Sequence, residues 1–300
     1  MLLRTLVALG PLAALWLGAR RVRSLRCERR VQARFERGDD GVIRGAEAIA
    51  LDGSGPRVLL LHGFGDTPQS LRQLADHLHT TLDCTVRVPL LPGHGRDLRA
   101  FARARATDWL TAARDAFEAL RARAPGVAVI GQSMGGALAV RLAAERTDVT
   151  ALVLLAPYLR MMPRVEGLAR HHRLASLLAT YVQARAEESI RDPRQRAASL
   201  GYGLTPLTSL AELRGMTEAA WAALPWVRVP TLMVQSREDN RIRAEDAERA
   251  FERLGAEPRV VVWTEGNGHV LSVDFGCETV YERVVEWLER FAAPRRMAGD

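Results

Sequence analysis

The stretch Val127 to Ala139, VAVIGQSMGGALA, changes character within a few residues. Its apolar first half reads as a strand, Gly131-Gln132-Ser133-Met134-Gly135 as a turn, and the small apolar residues from Met134 onward as a helix. A strand that runs straight into a helix needs a very sharp turn, and the glycines flanking the serine allow it. That geometry leaves the Ser133 hydroxyl exposed at the carboxyl end of the strand. A chain built around such a unit is committed to alternating strands and helices.

The alternation is present. Short β-branched runs predict strands at about 42–50, 57–62, 85–89, 127–132, 151–156, 231–236 and 259–264. Amphipathic stretches predict helices at about 68–80, 108–124, 134–146, 244–254 and 279–292. Arg57–His62 and Ala151–Ala156 are continuous apolar runs, as expected of central strands covered on both faces. The pattern is that of an α/β protein with a mostly parallel central sheet and helices on both faces. It breaks between 158 and 228, where Leu, Met and Ala at helical spacings show no convincing strand. A structureless loop of about 70 residues is improbable in a compact domain, so an inserted helical subdomain is expected there.

A serine hydroxyl is a poor nucleophile at its ordinary pKa and needs a base, itself oriented by an acid. After Ser133 the histidines are His171 and His172, both in the insertion, and His269, in a flexible Gly266-Asn267-Gly268-His269 loop just past a strand. His269 is the expected base. The acid should leave the strand 231–236, where Glu238 and Asp239 come next. A short carboxylate on a tight turn is held more rigidly, which favours Asp239, with Glu238 as the alternative. Asp246 falls in the next helix and suits its dipole. Acyl transfer also needs two donors for a developing oxyanion. The backbone N–H of Met134 supplies one, and that of Phe64 in His62-Gly63-Phe64-Gly65 is expected to supply the other. His62, and His94 in Leu91-Pro92-Gly93-His94-Gly95, read as structural braces of their loops. Nothing in the sequence assigns residues to substrate binding.

Charge is distributed unevenly. Residues 1–37 hold nine Arg against Glu28 and Glu36, a net +7, while the remaining chain is neutral, so the overall +7 is no sign of a nucleic-acid partner. Every basic residue is Arg, which excludes a lysine nucleophile or a P-loop lysine. Cys27, Cys84 and Cys277 are too few and too far apart for a disulfide framework or a zinc cluster, and no metal site is expected. From Leu2 to Ala19 the sequence is apolar apart from Arg4 and Thr5, and Arg20, Arg21, Arg23 and Arg26 follow. A helix of this run would span roughly 27 Å. The arginines downstream favour an uncleaved membrane anchor with the body in the cytoplasm. A cleaved signal peptide leading to a secreted or periplasmic protein is the alternative. The chain thus divides into an anchor with its Arg-rich flank, 1–37, and a domain, 38–300.

Leu61-His62-Gly63-Phe64-Gly65, Leu91-Pro92-Gly93-His94-Gly95, Gly131-Gln132-Ser133-Met134-Gly135-Gly136, Ser236-Arg237-Glu238-Asp239 and Gly268-His269-Val270, in this order, resemble the α/β-hydrolase superfamily. Within it they are most similar to the bacterial carboxylesterase and monoacylglycerol lipase group, over about residues 40–292. The resemblance implies an α/β-hydrolase fold with a helical cap at 158–228, and hydrolysis of short- and medium-chain esters and monoacylglycerol-like lipids without a metal or organic cofactor. An acyltransferase, a thioesterase or a C–C bond hydrolase would use the same Ser133, Asp239 and His269. Among the insertion's Leu159, Met161, Met162, Val165, Leu168, Leu174, Leu177, Leu178, Tyr181 and Val182, some are expected to line an acyl tunnel and others to dock the cap.

Overall fold

The computed structural model describes residues 2–184 and 188–292, with side chains from residue 15 onward. In chain order the first half comprises α1 (Leu2–Arg34), β1 (Ile49–Leu51), β2 (Arg57–Leu61), α2 (Arg72–Leu82), β3 (Thr85–Val88), α3 (Leu98–Arg103), α4 (Ala106–Arg121), β4 (Val127–Gln132), α5 (Met134–Glu145) and β5 (Val149–Leu155). The inserted region holds α6 (Pro163–Arg170), α7 (His172–Leu178), β6 (Tyr181–Gln183), α8 (Pro193–Ala198), β7 (Leu204–Pro206) and α9 (Leu207–Ala223). The chain then returns with β8 (Thr231–Ser236), α10 (Ala244–Arg253), β9 (Arg259–Thr264) and α11 (Cys277–Phe291).

Seven strands form one sheet in the order β1-β3-β2-β4-β5-β8-β9, antiparallel only between β1 and β3. Helices cover it in two groups, α2 packing on α11 and α4 on α5. That cover explains the unbroken apolar runs: β4 is buried along its whole length, and β2 and β5 nearly so. Edge strand β9 is only half-buried. Between β2 and β4 the winding of the sheet changes direction, and the crevice at the carboxyl ends of two such strands is where open α/β sheets bind ligands.

The strand expected at 42–50 shrinks to Ile49–Leu51. Upstream of it Gly41 and Gly45 take positive φ, so the chain turns twice instead of extending. The helix expected from residue 68 opens with a tight 3-10 turn, Pro68–Leu71, before α2 begins. The insertion is not purely helical: β6 and β7 pair antiparallel, Tyr181 opposite Pro206 and Gln183 opposite Leu204. Strands of three residues are too short to show a period in sequence.

The second half of α1 lies against the body. Ser24 Oγ donates to Thr180 Oγ1 at 2.7 Å, and Glu28 accepts from Tyr181 Oη and from Arg99 Nε, each at 2.8 Å. Val31 is buried, and Arg34 donates to the carbonyls of Ser199 and Gly201. Among the described residues no helix is long and apolar enough to cross a membrane. Most of the apolar run read as an anchor, residues 2–14, lies outside the described side chains.

Candidate active site

The site begins with a backbone constraint. Ser133 takes φ +55° and ψ −118°, a conformation that L residues rarely adopt and that carries strain of about 1–3 kcal/mol. Two glycines make the turn possible. A Cβ on Gly135 would stand 1.9 Å from the Leu61 carbonyl oxygen, and one on Gly131 would stand 2.2 Å from that of Gly135. Their absence lets α5 pack directly on the ends of β2 and β4. The turn is also tied to β5, since Ser133 N–H donates to the Leu155 carbonyl and Tyr158 N–H to that of Ser133, both at 3.0 Å.

Three loops converge on the exposed hydroxyl. His269 Nε2 lies 2.8 Å from Ser133 Oγ, and Nδ1 lies 2.8 Å from Asp239 Oδ2. The side chains of Asp239 and His269 are 0% and 8% exposed. A carboxylate so placed needs donors, and Asp239 has them: Gln235 Nε2 at 2.9 Å, Arg241 N–H at 2.7 Å and Ile242 N–H at 3.0 Å. Burial pushes its pKa up, but the His269 imidazole and these donors outweigh burial and hold it below the ordinary carboxylate range. Asp239 therefore stays ionised beside the imidazole. Glu238, one residue earlier, points away and pairs with Arg191 at the surface. Asp246 bonds Arg243 at 2.7 Å in the first turn of α10.

Opposite the serine, the loop after β2 approaches closely. A Cβ on Gly63 would lie 3.3 Å from Ser133 Cβ. Phe64 follows, its ring packed on Phe101 and Trp109 at centroid distances of 4.8 and 5.8 Å. Met134 opens α5, where backbone N–H groups lack intrahelical acceptors and the helix dipole favours negative charge. The N–H of Phe64 and Met134 thus belong to two segments that meet at Ser133.

His62 and His94 brace this loop. Both are fully buried and stand edge to face at 5.0 Å. Leu91 N–H donates to His62 Nε2 at 3.1 Å, which leaves the ring proton on Nδ1 to donate to the Gly63 carbonyl at 3.0 Å. Burial drives the His62 pKa down to about 4 and that of His94 well below its ordinary value. Neither is in hydrogen-bonding range of Ser133.

Several neighbours had no signal in the sequence strong enough to single them out. Asp66 accepts from Thr67 N–H at 2.8 Å, and burial raises its carboxyl to about 6 against the pull of Ser70, Thr67 and His269. The Tyr158 ring stands 6.5 Å from the His269 ring. In the cap, Leu159 and Met161 are buried, whereas Leu174, Leu177 and Leu178 are 66%, 56% and 72% exposed.

The depressed His62 pKa carries a stability consequence. Between pH 6.5 and about 4 the unfolded chain binds a proton at His62 that the folded chain refuses. The stabilisation is complete above 6.5 and is lost as pH falls, with a limit on the order of 3 kcal/mol for this group. Urea unfolding midpoints should therefore drop over this window, and His62→Gln should flatten the slope while lowering stability at pH 7.5. An unchanged slope in the variant would contradict the assignment.

A family model for serine aminopeptidase S33 hydrolases matches residues 55–274. The chain is 26% identical over 251 residues to a thermostable monoacylglycerol lipase of Bacillus sp. (strain H-257), covering 84% of this chain and 97% of that one. It is 24% identical over 241 residues to a carboxylesterase of Bacillus subtilis (strain 168), covering 79% and 94%. A solved structure from work on the metagenome-derived lipolytic enzymes LipS and LipT superimposes with a TM-score of 0.76 at 28% identity, over 83% of this chain and 99% of that one. With its parallel sheet, its strained serine turn and a match over most of its length, the chain belongs to the serine aminopeptidase S33 family and is a serine hydrolase of α/β-hydrolase fold.

Proposed function

We propose that the protein hydrolyses short- and medium-chain carboxylic esters, including monoacylglycerol-like lipids, through an acyl-enzyme on Ser133. The observation that carries this reading is the continuous hydrogen-bonded relay from Asp239 through His269 to Ser133. Ser133 Oγ attacks the ester carbonyl carbon as its proton passes to His269 Nε2. Asp239 holds the imidazole by Nδ1 and stabilises the positive charge it gains. The N–H groups of Phe64 and Met134 take the oxyanion. Collapse of the tetrahedral adduct breaks the C–O bond, and the departing alcohol takes the proton from His269. A water molecule then attacks the acyl-enzyme, again giving a proton to His269, and the acid leaves as Ser133 recovers its hydrogen. Nothing in this sequence of steps calls for a metal or an organic cofactor. The ester class is supported by the lipase and carboxylesterase relatives.

The test is hydrolysis of p-nitrophenyl esters from C2 to C16 and of a 1-monoacylglycerol by the detergent-solubilised full chain. Thioester and aminoacyl p-nitroanilide substrates run in parallel. Activity should peak between about C4 and C12, fall by more than about 10³-fold in Ser133→Ala, and drop by about 10⁴-fold in Asp239→Asn. Undiminished activity of Ser133→Ala, or faster turnover of the thioester or the anilide, would overturn the reading.

We further infer that α1 holds the protein at a membrane, with the hydrolase domain on the cytoplasmic side. The apolar run 2–19, the arginines that follow and the positive-inside bias support this. So does the exposed trio Leu174, Leu177 and Leu178, which ends two residues before Thr180, the partner of Ser24 on α1. Exposed leucines at that position suit an interface with acyl chains. The full chain should float with phospholipid vesicles, and deletion of residues 2–19, which leaves the docked Ser24–Arg34 half in place, should abolish flotation. Recovery of a mature protein beginning near Arg20 from a periplasmic or culture fraction would contradict it.

A further inference from the structure

The loops that present Asp239 and His269 are both stitched to one short segment within the cap, residues 189–192. The Ser189 carbonyl accepts from His269 N–H at 2.9 Å and from Val270 N–H at 3.0 Å. Ser189 Oγ donates to Asn240 Oδ1 at 3.2 Å and accepts from Arg241 Nε at 3.0 Å, next to the donors of Asp239. Gly268 permits this approach, because a Cβ there would stand 2.8 Å from the Ser189 carbonyl oxygen and 2.9 Å from that of Glu188.

Beneath this seam lies a carboxylate that the hydrolytic steps do not use. Asp274 is 1% exposed, and among the described residues its hydrogen-bond partners are backbone N–H groups. Its oxygens accept from Gly268 N–H at 2.7 Å, Arg191 N–H at 2.9 Å, Asp192 N–H at 2.8 Å and Phe275 N–H at 2.9 Å. Charge-assisted bonds of this kind are about twice as strong as neutral ones, and a buried carboxylate deprived of them is costly. The Gly268 bond ends on the residue before His269, and the Arg191 and Asp192 bonds end on the cap segment that holds the His269 N–H.

We propose that Asp274 is a positioning residue for His269, fixing the main chain just before the base and locking in place the cap segment whose Ser189 carbonyl holds the N–H groups of His269 and Val270. The inference rests on the triad reading of Ser133, Asp239 and His269. Asparagine is nearly isosteric with aspartate but turns one acceptor oxygen into a donor amide facing N–H groups, so the seam would loosen. A displacement of the imidazole by about 1 Å is enough to cost about 100-fold in rate.

The experiment uses full-length Asp274→Asn in detergent, beside wild type and Ser133→Ala. Asp274→Asn should lose about 100-fold in kcat with KM within about twofold. The downfield proton resonance of His269 Nδ1–H, hydrogen-bonded to Asp239, should shift or broaden. If that variant does not fold, Gly268→Ala decides, since its methyl would part the seam while leaving Asp274 intact, and it should show the same kcat loss and resonance change. A folded variant with wild-type kcat and an unchanged resonance would overturn the inference. Activity retained in Ser133→Ala would instead mark failure of the triad reading.

Discussion

Ser133 sits at positive φ between a strand and a helix that touch almost atom to atom, and the middle of the sheet is arranged around that contact. The strain there is of order 1–3 kcal/mol. Against it stand strand residues with no exposure at all, among them Leu59, Leu60, Val129, Ile130, Leu152, Val153 and Leu154. Burial of each large aliphatic side chain contributes roughly 1.5–3 kcal/mol, so any two of them offset the turn. The surplus lets the fold keep a serine hydroxyl displayed at the carboxyl end of a central strand, where relaxation to an ordinary conformation would withdraw it.

Burial works against charge throughout the site, yet neighbouring groups end in opposite states. His62 is driven neutral because its partners are one carbonyl and one N–H, and both are satisfied by the uncharged ring. Asp239 stays charged because two backbone N–H groups, an amide and the His269 imidazole all point at it. The difference lies in the sign of the partners, since both groups are buried. A neutral pair, His62 and His94, thus braces the loop bearing Phe64, while an ionised group holds the His269 imidazole. On the proposed mechanism these are the two conditions that stabilising an oxyanion and moving a proton require.

Much of this was legible in the sequence. Strands 127–132 and 231–236 match β4 and β8 residue for residue, because buried parallel strands write continuous apolar runs, and 259–264 matches the half-buried edge strand β9 through its β-branched run. Chain order and strand ends point to Ser133, Asp239 and His269, which the structure brings into one hydrogen-bonded row, while Glu238 pairs with Arg191. What escaped reading depends on partners distant in sequence. Asp274 meets Asp192 across 82 positions and reads in sequence as an ordinary loop carboxylate. The docking of α1 on Thr180 and Tyr181 joins residues more than 150 positions apart through single polar contacts, which leave no periodic trace. Leu174, Leu177 and Leu178 have the spacing of a packed face but are exposed, a distinction that composition does not carry.

The central claim is that Ser133 becomes covalently acylated through its contact with His269. It is tested most directly by reacting the protein with a fluorophosphonate and locating the adduct by peptide mass spectrometry during progressive inactivation. The account predicts one adduct per chain, on Ser133, with ester hydrolysis falling in proportion to its occupancy and no adduct in His269→Ala. Full occupancy of Ser133 with hydrolysis intact, or inactivation that follows an adduct on another residue, would contradict it.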